Sequence, residues 1–322
     1  MKFDLDQEQR DFAASIDAAL GAADVPGAVR AWSTGDTAAG KQVWNQLAEL
    51  GVTALAVPEE HDGIGAHPVD LMVAVEALGR WCVPGPVVES IAVAPILLAG
   101  APDAGERLAA LAAGEAIATV ALPPHTPRAV DAEVADVVLL AENGTVSTAR
   151  PGTRHRSVDP SRGVFDVTAD GASWSADTAR AYEFGALATA AQLIGAGQAM
   201  LDTAVEYAKQ RTQFGRVIGG YQAIKHKLAD VHIALELARP LVYGAALSLA
   251  DGSGDTVRDV SAAKVAASDA ALLAAHSSLQ THGAIGFTSE CDLSLWLLRV
   301  QALRPAWGDP TAHRRRVLEA IA

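Results

Sequence analysis

The residues from 207 to 240 hold the densest set of groups that could bind a ligand. They read YAKQRTQFGRVIGGYQAIKHKLADVHIALELARP, two helical patterns joined by a glycine-rich turn. Four polar residues lie in or beside that turn: Lys209, Arg211, Gln213 and Arg216. Arginine offers a rigid fork of donors that matches phosphate oxygens, and the free amides of the helix that starts near Tyr221 add positive potential. The turn therefore predicts a phosphate-binding loop. An ordinary bundle turn with solvated basic residues is the alternative.

The sequence of this stretch resembles that of a known family. RTQFG at residues 211–215, followed by YQAIKHKLADV, resembles the signature of the acyl-CoA dehydrogenase family, and LQTHGAIGF at residues 279–287 resembles that family's second flavin segment. The resemblance implies an FAD cofactor whose adenosine diphosphate part is reached across a subunit interface. It implies these cofactor-binding residues: Arg211, Gln213, Phe214, Gly215, Gln280, His282, Gly283, Ala284 and Gly286.

The family's reaction also needs a carboxylate base, which removes the α proton of an acyl thioester while a hydride leaves the β carbon. Most members carry this Glu in a Tyr-Glu-Gly-Thr segment, but this chain reads PAWGDPTAHRRR and places Gly308 there. The neighbouring Asp309 precedes a proline, which is the expected N-cap and first-turn pair of a helix. Some branches place the base earlier, where this chain has Gly185, with Glu183 two residues before it. We expect no catalytic base, and keep Asp309 and Glu183 as weak candidates.

Composition limits the class of protein. The chain has 322 residues, a formal net charge of -13, and a hydrophobic content of 50% with only 5% aromatic residues. Alanine supplies much of the apolar share and favours closely packed helices. The acidic balance argues against nucleic acid as a partner. Cys82 and Cys291 are too few to define a disulfide framework or a metal site, and MKFDLDQEQRDF lacks the pattern of a secretory signal, so we expect a cytoplasmic protein without a bound metal.

The order of the patterns predicts a mainly α, acyl-CoA dehydrogenase-like fold with three domains. Residues 1–113 form an N-terminal helical domain, beginning with a helix at 6–21 that an Asp6–Gln9 capping box starts. Residues 114–176 form a reduced middle β domain. Residues 177–322 form a C-terminal antiparallel bundle with these predicted helices: 177–210, 221–250, 255–283, 289–303 and 310–321. The stretch 184–201 is free of charge, and its polar residues favour a buried bundle helix over a membrane span.

The middle domain is predicted to be a small antiparallel sheet. Five short segments rich in Val, Thr and other strand formers are separated by Pro, Gly and Asn-Gly: AIATVALP, ADVVLLAE, TVSTA, VFDVTA and ASWSA. Family members carry a Thr-Glu-Pro segment in this domain that packs against the flavin ring. The matching place here reads ALPPHTPRAV, so the ring-binding half of the flavin pocket is predicted to be missing from this chain.

The reduced sheet, HGAIGFT and the absent base resemble one subset, the short β subunits of actinobacterial heteromeric acyl-CoA dehydrogenases that act on steroid side chains. That resemblance implies a partner subunit with the catalytic Glu and the ring site, in an α2β2 heterotetramer, an acyl-CoA substrate, and electron-transfer flavoprotein as the electron acceptor. Two other functions stay open: a self-sufficient homo-oligomeric dehydrogenase with a displaced base, and a non-enzymatic scaffold subunit.

Overall fold

The N-terminal part of the chain is helical, as predicted. The structure is a computed structural model that describes residues 4–322. Its first six helices are α1 (Gln7–Gly21), α2 (Val25–Ser33), α3 (Ala38–Glu49), α4 (Pro68–Arg80), α5 (Ala94–Leu98) and α6 (Ala104–Ala112), with a π-helical segment at Val88–Val93. The capping box is confirmed: Asp6 accepts from the amide of Gln9, and the Gln9 side chain accepts from the amide of Asp6. Gly51, with φ of 78°, ends the α3 segment in a left-handed turn, also as predicted.

The middle of the chain forms one five-stranded sheet in the order β1-β3-β4-β5-β2. The strands are β1 (Ala118–Ala121), β2 (Ala129–Val130), β3 (Val137–Glu142), β4 (Thr145–His155) and β5 (Val164–Ser175). The Asn143–Gly144 turn joins β3 to β4, and both turn residues have positive φ, which a two-residue hairpin of this kind requires.

The predicted antiparallel sheet is wrong in one pairing, because β1 pairs with β3 in parallel. The chain between these two strands returns through β2 on the opposite edge of the sheet, so β3 enters in the same direction as β1. The segments VFDVTA and ASWSA are also one strand, since β5 runs through Gly171 with an irregular register against β4. Helix α2 has no counterpart among the predicted elements; its Pro26 lies in the first helical turn, where a proline is tolerated.

The C-terminal part is the predicted antiparallel bundle. It consists of α7 (Thr178–Gln210), α8 (Gln222–Ala250), α9 (Thr256–His282), α10 (Leu293–Leu303) and α11 (Pro310–Ile321). A short hairpin of β6 (Thr212–Gln213) and β7 (Arg216–Val217) lies between α7 and α8. Helices α7 and α8 are long and apolar enough to cross a membrane, and the most apolar window of α7 is 89% buried within the protein. The domain boundaries at 113 and 176 stay predictions.

One continuous hydrophobic core joins the N-terminal helices, the inner face of the sheet and the bundle. Its tightest contact is between α4 and α7, where glycines let two backbones touch. A Cβ atom on Gly79 would lie 2.2 Å from the carbonyl oxygen of Gln192, and one on Gly195 would lie 1.9 Å from that of Glu76. The helix that precedes the candidate site is therefore fixed against the N-terminal domain along its middle.

Candidate functional site

The RTQFG segment forms a hairpin at the end of the bundle rather than the simple turn expected from its glycines. Thr212 pairs with Val217 and Gln213 with Arg216 in an antiparallel ladder. Phe214 and Gly215 form the two-residue connection with φ of 51° and 79°, the positive values that a type I′ turn requires. The Phe214 side chain is 91% exposed. A large apolar side chain held in water at a hairpin tip is suited to contact another molecule.

The hairpin presents donors that no part of the chain between residues 4 and 322 satisfies. The side chains of Arg211 and Gln213 are exposed and make no hydrogen bond or ion pair with the described residues. Arg216 instead lies 4.0 Å from the ring centroid of Tyr221, and the Tyr221 hydroxyl donates to the carbonyl oxygen of Gln213 at 3.1 Å. No side chain caps the start of α8 at Gln222, so its first amides also point to solvent.

The second segment lies at the same end of the bundle. The ring of His282 stacks on Tyr207 of α7 with centroids 4.4 Å apart, and its Nδ1 donates to the carbonyl oxygen of Ser278 at 2.8 Å. Lys227 near the start of α8 donates to the side-chain oxygen of Gln280. The chain leaves α9 at Gly283, and the segment Gly283–Phe287, which contains Ala284 and Gly286, forms a 3-10 turn.

The Gly283 backbone at the end of α9 leaves space for a ligand. Its φ is +68°, and a Cβ atom built there would meet nothing within 4 Å. A glycine in an open, left-handed position allows a ligand to approach the backbone closely. Exposed arginine and amide donors, an uncapped helix start and this open glycine together fit the diphosphate and adenosine half of FAD. The assignment of the individual cofactor residues stays a prediction.

The loop at residues 122–126, where family members carry the Thr-Glu-Pro segment that packs against the flavin ring, differs from that segment. Leu122 pairs with Thr126 across a tight loop in which Pro123–Pro124 is a cis peptide. His125, on this loop, has its ring centroid 4.5 Å from that of Tyr182. A cavity of about 280 Å³ lies beside the loop. The loop offers one hydroxyl, that of Thr126, whose Oγ1 is buried without a hydrogen-bond partner in the described chain, but it has no carboxylate like that of a Thr-Glu-Pro segment. That the ring-binding half of the FAD site is missing from this chain stays a prediction.

Both positions where family members carry a base are closed by packed aromatic side chains. Trp307 is fully buried and donates through Nε1 to Oε1 of Glu89 at 3.2 Å. A Cβ atom on Gly185 would lie 2.3 Å from the Trp307 ring. Gly308 has φ of +95°, and a Cβ atom there would lie 2.5 Å from the Tyr182 hydroxyl. A side chain at either position would require its neighbours to move, because real Cβ contacts are not this short.

The weak base candidates both have structural partners. Asp309 caps α11: its Oδ1 accepts from the amides of Thr311 at 2.7 Å and Ala312 at 3.0 Å, and these bonds lower the pKa of Asp309. Glu183 forms an ion pair with Arg316, and burial raises the pKa of Glu183 more than Arg316 lowers it. The first carboxylate is engaged by the backbone and the second by a guanidinium. Neither carboxylate is therefore without a partner in the structure, and the absence of a catalytic base from this chain stays a prediction.

Three residues that shape these sites were not predicted from the sequence: Tyr207, Lys227 and Trp307. Tyr207 lies four residues before Arg211, and Lys227 lies five residues into α8, so helical spacing from the recognised motifs points to the correct ends of these helices. Trp307 had no such signal, since the sequence does not show which residue fills the space beside Gly185. Among residues 4–322, no group of three or more His, Cys, Asp or Glu side chains is placed to hold a metal ion.

The chain is similar to known proteins in both sequence and fold. The family model for "Acyl-CoA dehydrogenase, N-terminal domain" matches residues 6–115, and that for "Acyl-CoA dehydrogenase, C-terminal domain" matches residues 175–322. Acyl-CoA dehydrogenase IpdE2 of Mycobacterium tuberculosis is 33% identical over 298 residues, which cover 91% of this chain and 90% of that protein.

Solved structures show the same fold at lower identity. The ChsE4-ChsE5 complex from Mycobacterium tuberculosis matches with a TM-score of 0.86 and 21% identity over 100% of this chain and 99% of that chain. A structure described as the Tcur3481-Tcur3483 steroid ACAD matches with a TM-score of 0.85 and 21% identity over 98% of each chain. The chain belongs to the acyl-CoA dehydrogenase family, whose members are FAD-dependent oxidoreductases acting on CH–CH groups.

Proposed function

We propose that this chain is a subunit of an FAD-dependent acyl-CoA dehydrogenase and completes the flavin site of a catalytic partner. One contrast carries the proposal. The end of the bundle at Arg211 presents unsatisfied donors to solvent, whereas the base positions Gly185 and Gly308 are closed by Trp307 and Tyr182. A chain that binds one half of the cofactor and has no base fits the role of a completing subunit.

In this role the residues of the chain bind and orient rather than transfer a proton. Arg211 would bind the diphosphate oxygens through its guanidinium fork, and Gln213 would hydrogen-bond on the adenosine side. The uncapped start of α8 at Gln222 would add positive potential toward the same phosphates. The FAD that these residues would help to hold would supply the hydride acceptor for the β carbon of the acyl-CoA. The α proton would go to the Glu of the partner subunit.

The partner and the substrate are further parts of the proposal. We propose an α2β2 heterotetramer with a catalytic acyl-CoA dehydrogenase subunit, supported by the structural likeness to the ChsE4-ChsE5 complex. A steroid side-chain acyl-CoA is the proposed substrate, supported by the neighbour described as a steroid ACAD. Electron-transfer flavoprotein is the proposed acceptor, and the cytoplasm is the proposed location, as expected for a chain with two free cysteines.

The experiment is co-expression of the chain with a candidate catalytic subunit, compared with each chain alone. Purified samples are assayed for acyl-CoA-dependent reduction of a dye acceptor and for flavin absorbance. We expect activity and flavin only in the co-expressed complex. Activity of this chain alone, as a homo-oligomer, would contradict the proposal and favour a displaced base. A complex that forms without changing the partner's flavin content or activity would favour a scaffold role.

A further inference from the structure

A second cavity lies at the end of α7 opposite to the hairpin that contains Gln213. The loop that precedes α4, the start of α7 and the end of α8 form its walls. Its volume is about 440 Å³, which is within the range of small-molecule sites. It shares no lining residue with the cavity beside Tyr182, and none of its lining residues lies in the segments 211–215 and 279–287. The proposed role in a flavin site therefore uses no residue of this cavity.

The walls of this cavity are mostly apolar. Leu71 of α4, Ile96 of α5 and Phe184 of α7 line it from three different helices. Pro58 and Pro68 add two rigid rings from the loop and from the first turn of α4. Such walls favour a ligand with an apolar chain, because each Å² of carbon surface removed from water contributes about 25 cal/mol.

Arg180, in the first turn of α7, is the cation of this lining. Its side chain is accessible to solvent and forms no ion pair with a carboxylate of residues 4–322. Its guanidinium carbon lies 5.1 Å from the ring centroid of Phe184, and its Nη1 donates to the carbonyl oxygen of Leu249 at 3.3 Å. These two contacts hold the guanidinium at the cavity, while Nε and Nη2 have no acceptor among the described residues.

His67 supplies a second donor to the same cavity. Its side chain is exposed, and its Nδ1 accepts from the backbone amide of Val69 at 3.2 Å as the N-cap of α4. Because Nδ1 is an acceptor in this bond, the proton of the neutral ring lies on Nε2. Within the part of the chain that the structure describes, Nε2 has no partner, so its N–H is available to a ligand.

We propose that this cavity binds a small carboxylic acid with an apolar chain, whose carboxylate is held by Arg180 and His67 and whose chain lies on the apolar walls. No Asp or Glu is among the eleven lining residues, so Arg180 gives the lining a single positive charge, which matches a monoanion. The free edge of a guanidinium and a carboxylate form parallel charge-assisted hydrogen bonds. The site is independent of the flavin segments and of the proposed catalytic partner.

Isothermal titration calorimetry on the full-length chain tests this proposal with octanoate, acetate and octanol in separate titrations. We expect saturable binding of octanoate, and binding about tenfold weaker or less for acetate, which lacks the chain, and for octanol, which lacks the charge. Arg180→Gln should weaken octanoate binding about tenfold, since a charge-assisted hydrogen bond supplies roughly that factor. Arg315→Gln is the matched control and should bind octanoate as wild type does. Arg315 is an exposed arginine of α11 that has no ion pair among residues 4–322 and does not line the cavity.

His67→Asn gives a second test at the other donor of the site. Asparagine also caps helices well, so this variant keeps the start of α4 and loses only the Nε2 donor. It should keep the thermal stability of wild type and bind octanoate more weakly. Octanol bound as tightly as octanoate would show that the cavity recognises no anion. That result, the absence of saturable octanoate binding at millimolar concentrations, or equal affinities of wild type and Arg180→Gln would each overturn the proposal.

Discussion

The indole ring of Trp307 lies against the backbone of Gly185, where a Cβ atom would be 2.3 Å from ring atom Cε3. The ring is fully buried and hydrogen-bonded to Glu89, so it cannot move aside without losing both packing and a partner. This contact links two positions that are far apart in sequence. Some relatives carry the base at the position of Gly185, and most carry it at the position of Gly308, which directly follows Trp307. The contact therefore links the two base positions.

The first prediction follows from this contact. Gly185→Ala should lower the free energy of unfolding by about 1–3 kcal/mol, because the added methyl group overpacks the space beside Trp307. Gly244→Ala is the matched control, since Gly244 also lies within a bundle helix but an added Cβ atom there would meet nothing within 4 Å. The control should be neutral or stabilising by about 0.5–1 kcal/mol. Urea denaturation measures both, and equal effects of the two changes would contradict the tight contact.

The second prediction concerns the donors of the hairpin. In the assembled complex, Arg211→Ala should lose flavin without loss of thermal stability, because Arg211 is exposed and has no partner among the described residues. Arg211→Lys should also retain less flavin, since lysine keeps the charge but lacks the planar fork. Lys209→Ala is the control: the structure pairs Lys209 with Glu206 and does not leave it among the unpaired donors of the hairpin, so this variant should retain flavin. Full occupancy of Arg211→Ala at low free FAD would show that Arg211 does not bind the cofactor.

The third prediction separates capping from catalysis at Asp309. Asp309→Asn should leave dehydrogenation by the complex within about a fewfold of wild type, because asparagine also caps helices well. Asp309→Ala should lower the free energy of unfolding by about 1 kcal/mol through loss of the bonds to Thr311 and Ala312. Steady-state kinetics and thermal unfolding measure the two effects. A collapse of turnover in Asp309→Asn, with flavin content and stability unchanged, would make this chain the source of the base.

The fourth prediction is a pH dependence of stability at Asp131. Burial raises the pKa of Asp131 to about 7, although Arg162 and the amide of Gly163 oppose that shift. Between about pH 4 and pH 7 the folded chain therefore holds a proton that the unfolded chain has released, and raising the pH lowers the free energy of unfolding. Between pH 5.5 and pH 7 this loss is about 2 kcal/mol.

Asp131→Asn removes this titration, so the stability of wild type relative to this variant should fall as the pH rises across that range. Asp251→Asn, at an exposed carboxyl, is the control and should follow wild type. Urea denaturation at a series of pH values provides the measurement. A difference between wild type and Asp131→Asn that stays constant from pH 5.5 to pH 7 would show that Asp131 does not titrate there.

Local signals in the sequence were sufficient for several helix starts, although not for α2. Asp6 and Asp309 begin helices as predicted, because a short polar side chain satisfies free amides within three residues of itself. The Asn143–Gly144 hairpin depended on the same kind of local geometry. The parallel pairing of β1 with β3 could not be predicted this way, since it depends on how the intervening chain returns across the sheet.

The candidate site was predictable only in part for the same reason. The absence of a carboxylate at Gly185 and Gly308 is visible in the sequence, but the closure of both positions depends on a tertiary contact with Trp307 and Tyr182. Spacing identifies what a local segment can bind, whereas burial and partners decide which groups are free to do so.

On the function proposed above, this chain contributes to a flavin site without having a complete one of its own. Flavin stoichiometry tests this most directly: the purified complex is denatured, and the released FAD is measured by absorbance against the amount of each chain. We predict one FAD for each pair of this chain and its catalytic partner, and a colourless sample of this chain alone. One FAD for every chain in the complex, or a yellow, active preparation of this chain alone, would contradict the proposed role.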